Sequence, residues 1–120
     1  MTENKPIRMK KRKMFVHVAD AGIKIACSGV VVQACPNDLS LIRTGFTTTK
    51  KLGKAVVRNR IRRRLREAVR LCAKMNEMVG FDLVFIGRQS TAERPFEKLI
   101  ADVAYALREI LKNYEEKPDV

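Results

Sequence analysis

The spacing of apolar positions along this chain alternates between helical and strand periods. From Lys10 onward, Phe15, Val18 and Ala19 fall on one helical face, and Gly22 is placed to end that helix. Residues 29–35 (GVVVQAC) are rich in β-branched side chains and read as a strand. Its alternation puts Val30, Val32 and Ala34 on one face and Val31, Gln33 and Cys35 on the other. The polar Gln33 marks its face as not wholly core. Pro36-Asn37-Asp38 is a turn signal, and residues 41–48 (LIRTGFTT) read as a returning strand, so the two are predicted to form an antiparallel hairpin. Beyond Gly53, Ile61, Leu65, Ala68, Val69 and Cys72 follow the i, i+4, i+7, i+8, i+11 spacing of a buried helical stripe. Residues 81–88 (FDLVFIGR) read as a third strand, returned to the same sheet by that helix. Pro95 suits the first turn of a long last helix, whose apolar stripe runs through Phe96, Leu99, Ile100, Val103, Leu107, Ile110, Leu111 and Tyr114. Residues 1–8 and 115–120 read as frayed tails, and residues 1–120 as one domain without internal repeats.

Charge changes this picture at one place. The 120 residues carry a formal charge of +12 and a pI near 10.1, which calls for a polyanionic partner. Residues 1–13 hold six bases against Glu3, and residues 50–70 hold ten against Glu67, whereas elsewhere nine bases face eleven acids. The dense window carries Lys50, Lys51, Lys54, Arg58, Arg60, Arg62, Arg63, Arg64, Arg66 and Arg70 on the helix that also bears the buried stripe. Arg58, Arg62 and Arg66 stack at i, i+4, i+8, and the other arginines widen that flank. Like charges at this spacing each cost about 0.2–0.5 kcal/mol in an isolated helix, so packing and a bound polyanion must offset them. Ten clustered bases suit roughly 5–8 phosphate contacts, each lowering log affinity by about 0.7–0.9 per log unit of salt. Arginine suits the task because its planar fork grips phosphate bidentately and stacks on bases.

Two residues carry two readings each. Phe15 is either a core anchor of the first helix or an aromatic platform for a nucleobase. Asn59 is a poor mid-helix residue; it is either a local cap near the helix start or a reader of a base edge, a ribose hydroxyl or a hydrated metal ion.

Protein-borne catalysis lacks candidates. His17 is the single histidine and has no partner at catalytic spacing; HExxH, a phosphate-cradling glycine loop and a nucleophile elbow are absent. Asp20, Asp38 and Asp82 are scattered, whereas a two-metal nuclease needs clustered carboxylates. Cys27, Cys35 and Cys72 have no CxxC spacing and are expected to be reduced thiols, with no metal site. No apolar run approaches the ~20 residues of a membrane span, and no signal-peptide core follows the basic N-terminus, so a cytoplasmic protein is expected.

The run RTGFTTTKKLGKAVVRNRIRRRLREAVR resembles the signature of the bacterial ribonuclease P protein family, with Arg58-Asn59-Arg60 at its centre. MKKRKMF, VVVQA, FDLVFIGR and the RPF that opens the last helix fall in the family's order, so the resemblance spans nearly the whole chain. It implies an α+β, α-β-β-β-α-β-α two-layer sandwich, similar to a domain of some ribosomal proteins. It also implies a left-handed βαβ crossover, against the usual hand. It implies that a catalytic RNA subunit releases the 5′ leader of precursor tRNA by Mg2+-dependent hydrolysis. It further implies that the protein subunit binds that RNA and the leader and helps to recruit Mg2+, which the RNA mainly holds; no obligate protein partner or membrane is implied. By position, Lys50, Lys51, Arg58, Asn59, Arg60, Arg62, Arg63 and Arg66 lie in the family's RNA-facing region, with Lys54 in the same basic window. Thr47 and Thr49 stand where Ser or Thr is common. A leader cleft between the first helix and the sheet would include Phe15, Val31 and Gln33. Ala19 stands in place of a second helix aromatic, and Gln33 in place of a strand Tyr. The alternative is a structural ribosomal protein of similar fold; a DNA-binding regulator is disfavoured by the absence of a helix-turn-helix or dimer heptad.

Overall fold

The computed structural model describes residues 5–115. Helix α1 (Arg12–Ala21) is followed by strands β2 (Ile23–Ala26), β3 (Val30–Pro36) and β4 (Arg43–Thr47), helix α2 (Ala55–Leu71), strand β5 (Phe81–Gly87) and helix α3 (Phe96–Glu115), with a short strand β1 (Ile7–Arg8) in front. The five strands form one sheet in the order β1-β4-β5-β3-β2. The family's implied order is therefore present, preceded by one extra strand. Among the described residues, no helix is long and apolar enough to cross a membrane.

The predicted hairpin does not form. β3 and β4 lie on either side of β5, which pairs antiparallel with β3 and parallel with β4. The turn chemistry is present but serves a wider crossing. Asn37 Oδ1 accepts from Leu39 N at 2.8 Å, and Asp38 takes a positive φ of 57°. The connection then spans two strand spacings, about 10 Å, and the start of β5 fills the gap. Asn37 N donates to Gly80 O, and Gly80 N donates to Leu41 O, both at 2.8 Å. β5 reads as the centre of the sheet because residues 82–85 are all buried, which both-face coverage requires.

Two further expectations change. Ile7 and Arg8 are not frayed: they run parallel to β4, with Ile7 N donating to Ile42 O and Met9 N to Thr44 O. β2 escaped the periodicity reading because it is four residues long and follows Gly22 directly, although Ile23 and Ile25 alternate inward. Residues 116–120 of the expected tail lie outside the described residues, and Glu115 still belongs to α3.

The alternation of the sheet decides which helix lies where. Val30, Val32, Ala34, Leu83 and Phe85 face the large core formed with Ile61, Leu65, Ala68 and Val69 of α2 and Leu99, Val103, Leu107 and Ile110 of α3. The predicted stripes of both helices are thus the ones that pack. Cys35 and Val84 point to the opposite face, where Met9 and Val18, with Met14 and Phe15, form a smaller cluster under α1. α1 has ten residues and covers only part of that face, leaving Val31, Gln33, Ile86 and Thr47 half-buried.

Candidate nucleic-acid interface

The basic window begins where β4 leaves the sheet. Thr47 ends the strand, residues Lys50–Leu52 make a single helical turn, and Gly53 sits at φ 128°, a left-handed conformation that favours glycine. α2 then starts after Lys54, whose side chain cannot accept a backbone hydrogen, and no acid occupies the first turn. Lys50, Lys51 and Lys54 are all exposed at this end of the helix. Their charge adds to the positive end of the helix dipole, so the corner attracts anions.

The arginines of α2 divide into three sets by their partners. Arg60 and Arg64 face the loop before α3: Arg60 Nε donates to Ala92 O at 3.1 Å, and Arg64 Nε donates to Thr91 O at 2.9 Å. Arg64 also donates to Arg94 O and stands 5.7 Å from the Phe96 ring centroid. Arg64 is a structural clamp. Arg58 turns back, its Nε donating to the Gly53 carbonyl at 3.2 Å. Arg62, Arg63 and Arg66 lie on the other side, toward β4 and β1. Arg62 donates to Thr48 Oγ1 at 2.6 Å and to Asn59 Oδ1. Asn59 therefore does not cap the helix; it lies inside it and orients Arg62. Arg63 and Arg66 are exposed and have no acceptor among the described residues. Although Arg66 is exposed as a residue, desolvation of its guanidinium, with the charges of Arg8 and Arg62 nearby, pushes that group below its ordinary value. The acids lie elsewhere or are matched: Arg43 grips Asp82 at 2.7 and 2.8 Å, Arg94 pairs with Asp102, Lys74 with Glu77 and Arg70 with Glu67.

A groove of about 450 Å³ opens between α1 and the bare part of the sheet. Phe15, Ala19, Gln33 and Thr47 line it together, and Lys10, Arg12 and Val16 form its α1 rim. Gly45 explains the floor. A Cβ there would stand 2.5 Å from the Phe15 ring, so only glycine lets the ring lie on β4. The strand register sets Gly45, Val84 and Gln33 in one row and Thr47, Ile86 and Val31 in the next. Val31 is thus a neighbour of the groove, and Thr49 stands exposed past the strand end. Phe15 is half-buried against the smaller cluster and also forms part of the groove wall. Periodicity did not single out Lys10, Arg12 and Val16, although the basic count of residues 1–13 contained the first two.

No three of His, Cys, Asp and Glu are grouped as metal ligands among the described residues. Mg2+ needs an octahedral oxygen set, and the described residues group no carboxylates that would supply one. Cys35 Sγ lies 3.8 Å from His17 Nε2, and burial pushes all three thiols above their ordinary value.

The ribonuclease P family model matches residues 4–111, which is most of the chain. The chain belongs to the ribonuclease P protein family. A ribonuclease P protein component of Gluconacetobacter diazotrophicus is 51% identical over 102 residues, covering 84% of this chain and 88% of that protein. One of Paramagnetospirillum magneticum is 44% identical over 108 residues, covering 86% and 81%. The solved RNase P protein of Thermotoga maritima superposes with a TM-score of 0.72 at 26% identity, covering 86% of this chain and 96% of that one. That of Staphylococcus aureus gives 0.69 at 28%, covering 92% and 97%. Family membership sets the fold; the sorting of the arginines above comes from this chain's own contacts.

Proposed function

We propose that this chain is the protein subunit of a ribonuclease P ribonucleoprotein acting in tRNA 5′ maturation. The exposed lysines before α2, together with Arg62, Arg63 and Arg66, bind the RNase P RNA, and Arg58, Asn59 and Arg60 flank that contact. The groove under α1 holds the 5′ leader of precursor tRNA, with Phe15 stacking a base and Gln33 offering hydrogen bonds in place of a second ring. Hydrolysis is the work of the RNA subunit with Mg2+ held on RNA, in the cytoplasm. Recruitment of that ion by the protein is electrostatic: bound arginines draw phosphates close, and close phosphates favour a divalent cation.

One observation carries this reading. The segment Thr47–Thr48–Thr49 joins the two surfaces: Thr47 lines the groove, Thr48 holds Arg62 of the basic flank, and Thr49 precedes the exposed lysines. A strand entering the groove would pass directly to the arginines that grip phosphate. Reconstitution tests the proposal. RNase P RNA with this chain is expected to cleave precursor tRNA at low Mg2+, the RNA alone poorly, and the chain alone not at all. Robust cleavage without the RNA, or a ribosome-bound pool lacking RNase P RNA, would sink it.

A further inference from the structure

A second groove lies on the α2 side of β4, on the other face of the sheet from the one assigned to the leader, and Phe46 borders both. It has a volume of about 700 Å³, within the 300–1,000 Å³ range of small-ligand sites, and Pro6, Arg8, Phe46, Arg63, Arg66 and Val69 line it. β1 creates it: without the pairing of Ile7 and Arg8 to β4, Arg8 would not face α2. The floor is apolar. The Phe46 ring stacks on Phe85 with centroids 5.3 Å apart and planes at 19°, and the Arg8 guanidinium lies 5.7 Å from the Phe46 centroid. Glu67, the single acid in the lining, is matched by Arg70, so it does not oppose an anion.

We infer that this groove takes one unstacked nucleotide of the RNase P RNA, its base against the Arg8–Phe46 pair and its phosphate between Arg63 and Arg66. The inference rests on the proposed RNA-binding role and adds a site to it. An RNA strand supplies both parts that the lining asks for: an anion for the guanidinium forks and a flat π-face for the stacked pair. A base within a duplex has no free face, so the nucleotide is a looped-out or single-stranded one. An acidic polypeptide would satisfy the arginines and leave the aromatic floor unused. Drawing a phosphate in also relieves the mutual repulsion of Arg8, Arg62 and Arg66.

The salt dependence of binding to RNase P RNA separates the contributions. Arg66→Ala is expected to lower the slope of log affinity against log salt by about 0.7–0.9, one phosphate contact. Arg8→Lys keeps the charge and removes the planar stack; affinity is expected to fall about fivefold or more with the slope unchanged. Phe46→Leu, checked for folding by its melting curve, should weaken binding about five- to hundredfold, again with the slope unchanged. Wild-type binding by both Arg8→Lys and Phe46→Leu overturns the groove assignment while leaving the RNA-binding role intact. A slope that falls with Arg8→Ala while Arg8→Lys binds as the wild type does makes Arg8 a phosphate contact only and overturns the stacked base. Competition by polyglutamate as effective as that by RNA would make the groove a general anion patch, with the same result. Failure of the wild-type chain to bind the RNA removes the underlying role as well.

Discussion

At the scale of single residues, neighbouring arginines of one helix do different work. Arg64 donates to two carbonyls of the loop before α3 and lies by Phe96, so its truncation breaks charged hydrogen bonds inside the protein. Arg64→Ala is expected to cost about 1–3 kcal/mol of stability, read as a lower melting temperature, with the salt slope of RNA binding unchanged. Arg63→Ala, one residue earlier and exposed, should do the reverse: an unchanged melt and a slope flatter by about one contact. If both variants changed the slope equally, the sorting by partner would be wrong. The thiols give a pH prediction. Burial raises Cys72, and it raises Cys27 and Cys35 as well, with neighbouring carboxylates adding to the effect. A raised folded value means that the folded chain keeps its proton longer than the unfolded one. The thiol contribution to stability is therefore complete below about pH 8.5, the ordinary thiol value, and is lost as pH rises through the folded value. Denaturant melts between pH 7 and 10 should show a decline above pH 8.5 that is smaller in Cys72→Ala.

At the scale of elements, the sheet depends on an ion pair that holds two strands in register. Asp82 of β5 is 3% exposed, pairs across the sheet with Arg43 and Cys35, and receives both Arg43 nitrogens and Asn37 Nδ2. Asp82→Asn would leave the Arg43 fork half-matched; because Arg43 is 27% exposed, water compensates in part, and the cost is expected near 1–3 kcal/mol rather than the larger loss of a sealed pair. The chevron should show faster unfolding with native-like RNA binding below the melt. Asp82 itself was visible in the sequence only as a scattered acid, because its partner lies 39 residues away. The same limit explains what was and was not legible. The stripes of α2 and α3 were read almost residue by residue, since helical packing writes a local period. Turn chemistry at Asn37-Asp38 is also local and so predicts a hairpin, whereas nothing local says that β5 inserts between the two strands. Among the site residues, the basic density was plain, but the retirement of Arg64 into the α3 loop depends on contacts about 30 residues away. Gly45 reads in the sequence as a plain glycine in a strand, because the Phe15 ring that needs its missing side chain belongs to a different element.

At the scale of the whole molecule, the two surfaces make separable demands on an RNA partner, and leader-dependent binding can tell them apart. The groove under α1 is walled by Phe15 and Gln33 and has Ala19 at its rim; the exposed lysines before α2 have no such wall, and their contribution is charge alone. A leader in the groove would gain from stacking, which is worth about 1–3 kcal/mol per base and is insensitive to salt; a phosphate on the flank gains from counterion release, which is not. Phe15→Ala should therefore weaken binding of leader-bearing precursor about five- to hundredfold relative to mature tRNA, at every salt concentration. Since Phe15 also packs on the smaller cluster, an equal loss for both RNAs would indicate misfolding. Ala19→Phe makes the test independent of that risk. Ala19 is exposed on α1 and lines the groove, so the added ring displaces no core atom. It is expected to tighten binding of leader-bearing precursor severalfold and leave mature tRNA unchanged. A gain for neither RNA would mean that no base reaches this part of the groove, and would confine RNA contact to the arginine flank.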